Sequence, residues 1–144
     1  MNMLAAAVSI ALVVATVLIH YEALRYTSNL IAALTMAPRR RLLVVLAVVI
    51  LAHTTEIWLH AAAYYGLYNG LHLAGFHGAF HDDFQDFVYF STETYTSLGF
   101  GDVYPLGGLR LIAGVETLTG LLMIGWSSSF TYLVMRRFWP SHNH

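Results

Sequence analysis

Residues Thr96, Ser97, Leu98, Gly99, Phe100, Gly101 and Asp102 carry the most specific chemistry in this chain. Gly99 and Gly101 can adopt positive φ, which bulkier residues resist. Alternating them with Leu98 and Phe100 turns successive carbonyls towards one axis. Leu98 and Phe100 then point away and pack as a collar. Rings of backbone carbonyls can replace the hydration shell of a cation. The expected ligands are the carbonyls of Ser97, Leu98, Gly99 and Phe100 within the Ser97–Gly101 strand, with the Ser97 hydroxyl at the inner mouth.

A second set of ionisable residues lies inside an apolar run. His53, Glu56 and His60 stand at i, i+3 and i+7, on one helix face. Ionisable groups at membrane depth are costly and face protein or water. Glu56 precedes Gly66 by ten residues and Glu116 follows Leu106 by ten. On antiparallel helices both carboxylates then sit about 15 Å below the outer interface, at 1.5 Å per residue. They could therefore meet, with His53 or His60 sharing their protons. Either the cluster is a proton-sensing latch or transition-metal site, or it makes interhelical hydrogen bonds that fix packing. Packing is the reading adopted, and no transition-metal site is assigned.

The elements that must position these residues are membrane helices. Of 144 residues, 58% are hydrophobic and only 10% charged, against roughly a quarter charged in a soluble domain. Apolar runs at about Met3–Leu24, Leu42–Tyr65 and Leu106–Met135 reach the roughly 20 residues that a spanning helix needs. The chain lacks cysteine, which excludes disulfides and thiolate metal sites, and its net charge of −1 gives no nucleic-acid footprint. No positive residue precedes the first run and no small-residue cleavage site follows it, so it reads as a retained anchor.

All seven basic residues are arginines. Arg25, Arg39, Arg40 and Arg41 group between the first and second runs, and Arg136 and Arg137 close the third. The positive-inside rule places both groups in the cytoplasm, with the N-terminus and residues 66–105 outside. Arg110 alone departs from the pattern.

Residues 66–105 are too irregular for another crossing. Gly66 to His81 reads as an exposed loop. Asp82 and Asp83 before Phe84 form a helix N-cap signal. A helix over 84–96 is about 20 Å long at 1.5 Å per residue and cannot cross. It must enter and return, which a membrane tolerates only where protein or a watery cavity shields the backbone.

The string from Ser91 to Pro105 resembles the pore helix, filter and exit loop of bacterial potassium channels, whose filter is usually written T-V-G-Y-G-D. The resemblance runs from about Leu42 to Arg137, including Gly108, Arg110, Glu116 and Gly120 of the inner helix. It implies that Glu93 and Asp102 share a proton or a water behind the filter, that Thr96 and these two carboxylates support the filter, and that Gly120 is a gating hinge. It also implies four chains around one pore, since one chain supplies one strand of a closed carbonyl ring. Ser97, Leu98 and Phe100 depart from the family's threonine, valine and tyrosine, and Phe100 offers no phenol to the pore helix.

The expectation is an all-α membrane protein with three transmembrane helices per chain, a re-entrant pore helix and a filter loop. Residues 1–38 form an additional helix and cytoplasmic linker. Residues 39–144 form the pore domain, with outer helix 42–66, outer loop 67–83, pore helix 84–96, filter 97–101 and inner helix 106–137. The first helix is expected on the outer helix at the lipid-facing rim. His20 and Glu22 are read as interface residues near its cytoplasmic end. His72, His77 and His81, with Asp82 and Asp83, decorate the outer loop, and His142 and His144 carry no argument. No span has arginine at every third residue, which excludes a voltage-sensor helix. Seven residues after Arg137 are too few for a regulatory domain.

By resemblance the function is passive potassium conduction by a homotetramer in a bacterial inner membrane, not catalysis. Potassium ions occupy the filter, no organic cofactor is implied, and the partners are lipid and other copies of the chain. The alternatives are a non-conducting scaffold or sensor, or a metal-binding membrane protein using His53, Glu56, His60 and Glu116.

Overall fold

The structure is a computed structural model, and it describes residues 3–33, 35–71 and 75–138. His72, His142 and His144 lie outside the described residues. Helices α1 (Met3–Ala33), α2 (Pro38–Leu71), α3 (Phe84–Tyr95) and α4 (Leu109–Phe138) carry the fold. Strands β1 (Phe76–Gly78) and β2 (Val103–Pro105) flank the short helix. Helices α1, α2 and α4 contain 31, 34 and 30 residues, or about 45–50 Å at 1.5 Å per residue. All three are long and apolar enough to cross a membrane. Ile10, Val14, Leu18, Ile50, Leu51 and Leu122 on them are exposed, which suits a lipid solvent.

The interior face of α1 repeats every three or four residues through Ala5, Ser9, Leu12, Thr16, His20, Leu24, Thr27 and Ile31. That spacing is one stripe of a helix, and its small residues permit close approach. The stripe packs against both α2 and α4. The first helix is therefore not merely laid on the outer helix, as the sequence suggested. It fills the groove between two helices.

Three boundaries of α1 and α2 also differ from expectation. Helix α1 runs past Leu24 to Ala33, which puts His20 near its middle rather than at an interface. Helix α2 begins at Pro38 rather than at residue 42, so Arg39, Arg40 and Arg41 occupy its first turn. Proline is favoured there because its missing N–H needs no partner in a first turn. At its other end α2 continues through Gly66 and Gly70 to Leu71, where a loop was expected. Helical glycine costs about 1 kcal/mol against alanine. Burial of Tyr64 and Leu67 offsets that cost, for both pack with Phe87 and Phe90 in the outer core. Fully burying a large apolar side chain contributes about 1.5–3 kcal/mol. Phe76 joins them, with its ring centroid 5.9 Å from Tyr64 and 4.9 Å from Phe90.

The outer segment is tied down, not free. Strands β1 and β2 pair antiparallel, with Phe76 opposite Pro105 and Gly78 opposite Val103. Gly78 has φ 105°, and the Asp102 carbonyl occupies the space that a Cβ would need. The next amide, Ala79 N–H, donates to that carbonyl at 2.9 Å. The loop before α3 thus grips the backbone immediately after the Ser97–Gly101 segment.

Helix α4 starts at Leu109, three residues later than expected, after a turn in which Leu109 and Arg110 N–H donate to the Leu106 and Gly107 carbonyls. It runs without interruption past Gly120. A Cβ on Gly120 would collide with the Tyr95 carbonyl and approach its ring. Close packing of α4 on the end of α3 thus requires a glycine here whether or not the helix bends. Gly120→Ala is expected to lower the thermal stability of the purified protein by about 1–3 kcal/mol, the usual cost of overpacking. Gly125→Ala, which meets nothing within 4 Å, should leave stability unchanged or raise it by up to about 1 kcal/mol. Equal melting shifts for the two variants would contradict this packing.

Candidate functional site

Helix α3 begins as its sequence dictates. Asp83 is the N-cap, with φ −87° and ψ 158°, and its carboxylate accepts from Asp86 N–H at 2.9 Å. Twelve residues give about 18 Å of helix, too little to cross. The helix stops at Tyr95, and Thr96 serves as its C-cap. The Thr96 hydroxyl returns to the Thr92 carbonyl at 2.7 Å, so its role is to close the helix end. Ser97 N–H then donates to Thr94 O at 3.1 Å.

The chain leaves the helix with φ 56° at Ser97, 54° at Gly99 and 78° at Gly101. Leu98 and Phe100 keep ordinary negative φ, so the sign alternates along the segment. The glycines are placed as the sequence implies. Ser97 is the addition, since a non-glycine residue in this region costs roughly 1–2 kcal/mol. Nothing in a serine announces that conformation.

The backbone of the segment is held from behind by one residue. Gly99 N–H donates to the Glu93 carbonyl at 3.3 Å, and Phe100 N–H donates to Glu93 Oε2 at 3.2 Å. Burial raises the Glu93 carboxyl above its usual range; the Phe100 N–H opposes this and the nearby Asp102 charge adds to it. Asp102 is held separately: its Oδ2 accepts from Tyr89 OH at 2.9 Å and its Oδ1 from Val103 N–H at 3.1 Å. Glu93 and Asp102 therefore interact through their charges, and each has its own donor. Tyr89, four residues before Glu93, thus sets a phenol of α3 against the carboxylate that follows Gly101.

Leu98 and Phe100 are 56% and 68% exposed on the single chain. The expected collar is absent from one chain alone. Between the segment and helices α3 and α4 lies a cavity of about 340 Å³ lined by Phe90, Glu93, Thr94, Ala113, Gly114 and Thr117. The Thr117 hydroxyl lies 3.1 Å from the Thr94 carbonyl, which joins α4 to the end of α3.

The intramembrane polar residues separate into two networks. In the first, Glu116 on α4 accepts from Tyr64 OH at 2.5 Å and from Ser91 Oγ at 2.6 Å. In the second, Glu56 on α2 meets His20 Nδ1 at 2.9 Å, the Tyr95 hydroxyl and, at 3.5 Å, His53 Nδ1. The two carboxylates do not form the single cluster expected from their matched depth. Tyr64 and Ser91 occupy the Glu116 oxygens, and His20 and Tyr95 occupy those of Glu56. His60 joins neither carboxylate, because its Nδ1 is 2.9 Å from the Glu56 backbone carbonyl. His20, assigned from sequence to an interface, is fully buried at the centre of the second network. Its depth was hidden because the polar residues after Leu24 masked the length of α1.

The second network closes on itself. His53 Nδ1 lies 2.8 Å from Tyr95 OH, and Ser127 Oγ lies 3.1 Å from His53 Nε2 and 3.0 Å from His20 Nε2. All four helices contribute to it. Tyr95, two residues before Ser97, bonds to Glu56 and His53 of α2 and through them is linked to His20 of α1 and Ser127 of α4.

A family model described as an ion channel matches residues 42–137, about two thirds of the chain. The chain belongs to this ion-channel family. No curated protein and no solved structure was found to match it. The match supports a potassium-channel-type pore domain in this integral membrane protein. It covers α2 from Leu42 onward, α3, the filter-like segment and nearly all of α4, whereas α1 lies outside it.

Two measurements check the hold on the segment of this channel protein. Glu93→Ala should leave the Phe100 amide without its acceptor, at about 1–3 kcal/mol, and speed its hydrogen exchange; Glu93→Gln should restore most of the protection. Equal exchange in wild type and Glu93→Ala would refute the bond. Asp102 raises the Glu93 carboxyl, so Asp102→Asn should lower its titration midpoint by carboxyl-carbon NMR. A midpoint that stays or rises would remove the charge coupling.

Proposed function

We propose that four copies of this chain form a potassium-selective channel with one central pore. The observation that carries the reading is the alternation of φ through Ser97, Gly99 and Gly101. An extended segment with that alternation can direct consecutive carbonyls to one side. Four such segments around an axis make stacked rings of oxygens that substitute for the water around a potassium ion. The ligands are the carbonyls of Ser97, Leu98, Gly99 and Phe100, and Gly101 completes the turn out of the filter.

Two features support assembly. Leu98 and Phe100 are large apolar residues left open on the single chain, and the cavity behind the segment is of a size to receive a Phe100 ring from the next copy. Filling it would hold each filter strand against its neighbour's pore helix. The ring diameter would then be set by packing, with Glu93 preventing collapse by holding the Phe100 amide.

The C-terminal end of α3 adds electrostatics. A helix C-terminus carries about half a negative charge, and four of them converging below the filter favour a cation there. Entry and exit are passive, since each ion exchanges water for carbonyls and back. Gly120 remains the proposed bending point of α4, a role compatible with its close approach to Tyr95. The positive-inside rule, applied to Arg39, Arg40, Arg41, Arg136 and Arg137, supports a cytoplasmic α1–α2 turn and α4 end, with the filter exit outside and lipid around the rim.

Liposomes carrying the protein should show potassium flux down a gradient, block by barium, and loss of flux in Gly99→Ala, where φ 54° disfavours a side chain. Well-folded tetramers that pass no potassium under varied pH and voltage would refute conduction.

A further inference from the structure

We propose that His20, His53, Glu56 and Tyr95 form a binding site for a divalent transition-metal ion of the zinc type, buried among the four helices. A ligand atom from each of His20, His53 and Glu56 lies within 4.8 Å of the other two. His20 Nδ1 is 2.9 Å from Glu56 Oε1 and His53 Nδ1 is 3.5 Å from Glu56 Oε2. Ligands about 2.0–2.2 Å from a tetrahedral zinc ion stand roughly 3.3–3.5 Å from each other. The His53–Glu56 separation already has that value. The His20–Glu56 and His53–Tyr95 pairs would have to open by about half an ångström, and the shorter Tyr95–Glu56 pair by more.

The partners on the far side of both imidazoles make the arrangement more than a hydrogen-bonded cluster. Ser127 Oγ faces His20 Nε2 and His53 Nε2 together, at 3.0 and 3.1 Å. A hydroxyl oxygen has two lone pairs, so it can accept from both Nε2–H groups. With an ion bound, that arrangement would leave both Nδ1 atoms bare to ligate it, whereas the metal-free contact of His20 Nδ1 with Glu56 Oε1 at 2.9 Å needs a hydrogen between them. Metal-ligating histidines characteristically donate their other N–H to such an acceptor. Here one serine serves two histidines. Two neutral imidazoles, a carboxylate and a phenol oxygen are a nitrogen–oxygen set suited to zinc or its divalent neighbours.

Charge and access fit as well. Glu56 is fully buried, and a buried carboxylate needs compensation. A divalent ion bound to Glu56 and to an ionised Tyr95 makes a neutral site. His53 is less enclosed, and with Ser127 it lines a cavity of about 450 Å³ whose walls are mostly apolar (Leu46, Val49, Ile124 and Met135), with Ser128 and Thr131 among them. That cavity reaches the histidine edge of the site.

Protons are the competing occupant. The ring of five contacts needs five hydrogens. Ionised Glu56, two neutral imidazoles, Ser127 and Tyr95 supply four, so a closed metal-free ring carries one extra proton and is neutral. With metal bound, at most four of these hydrogens remain. Binding must therefore release at least one proton per ion, a coupling general to sites of this chemistry.

The test uses the full chain in nanodiscs, with His72, His77, His81, His142 and His144 replaced by alanine to remove other histidine sites. After chelator treatment and dialysis against Zn²⁺, one zinc per chain is expected, with at least one proton released per ion by calorimetry in two buffers. Co²⁺ in place of zinc should give the visible bands of a tetrahedral nitrogen–oxygen site. Glu56→Gln and His20→Ala should abolish stoichiometric binding. Ser127→Ala, which only orients the rings, should weaken it about 10-fold to 100-fold and shift the cobalt bands. Absence of stoichiometric zinc in the unsubstituted ring would overturn the proposal and leave protons as its sole occupant. Binding that persists unchanged in Glu56→Gln and His20→Ala would overturn it too. Should those variants fail to fold, the cobalt spectrum and proton release of the intact ring decide the matter.

Discussion

A backbone that enters a bilayer and turns back inside it has no water to satisfy its polar groups. Helix α3 creates that difficulty at its C-terminal end, where four carbonyls lose their helical partners. The residues from Glu93 to Ser97 meet it in a space of one helical turn. The Glu93 carbonyl takes Gly99 N–H, its carboxylate takes Phe100 N–H, and the Thr94 carbonyl takes Ser97 N–H and the Thr117 hydroxyl. Each partner must come from a wall of the structure or from the returning strand itself. Helix α4 can deliver Thr117 only because Gly120 lets it lie against the Tyr95 carbonyl. The outer strands secure the other end of the return through Ala79 and the Asp102 carbonyl. The filter-like segment is thus a short length of chain clamped at both ends, with its middle open to a neighbour.

Two buried carboxylates share the same bilayer and obey the same rule. Glu116 is matched by two hydroxyls, Tyr64 and Ser91, one from α2 and one from α3. Glu56 needs more, and it recruits α1. His20 is the residue through which the additional helix reaches the centre of the protein, and Ser127 completes the path to α4. Replacing one member of such a set leaves the others buried and unpaired, typically a loss of 3–5 kcal/mol for a broken ionic pair. Helix α1, outside the family match, is therefore joined to the pore-type portion by polar contacts as well as by its small-residue stripe. The tie ends at Tyr95, two residues before Ser97.

Much of this was legible in the residues. Asp83 before Phe84 marked the start of α3, Gly99 and Gly101 marked the places of positive φ, and the apolar runs marked three crossings. What stayed hidden has physical causes. The length of α1 was obscured because Tyr26, Thr27, Ser28 and Asn29 interrupt its apolar run, although α1 continues through them. Helix α2 was cut short at Gly66 because local propensity carried the reading, whereas burial of Tyr64 and Leu67 decides the outcome. The matched depth of Glu56 and Glu116 was correct arithmetic, but depth gives no azimuth, and the two side chains turn to different partners. Leu98 and Phe100 illustrate a limit of another kind, since both stand exposed on the single chain and the proposed collar would be made between chains. Ser97 with φ 56° is set by tertiary context alone.

The central claim is that the Ser97–Gly101 segments of four chains coordinate potassium on a common axis. It is tested most directly by density for the protein in lipid, imaged in potassium. The account predicts a fourfold particle with a row of ion densities between the carbonyls of Ser97, Leu98, Gly99 and Phe100, and with Leu98 and Phe100 packed against neighbouring chains. A monomer, a ring of another order, or an axis filled by the Leu98 and Phe100 side chains with no ions between carbonyls would contradict it.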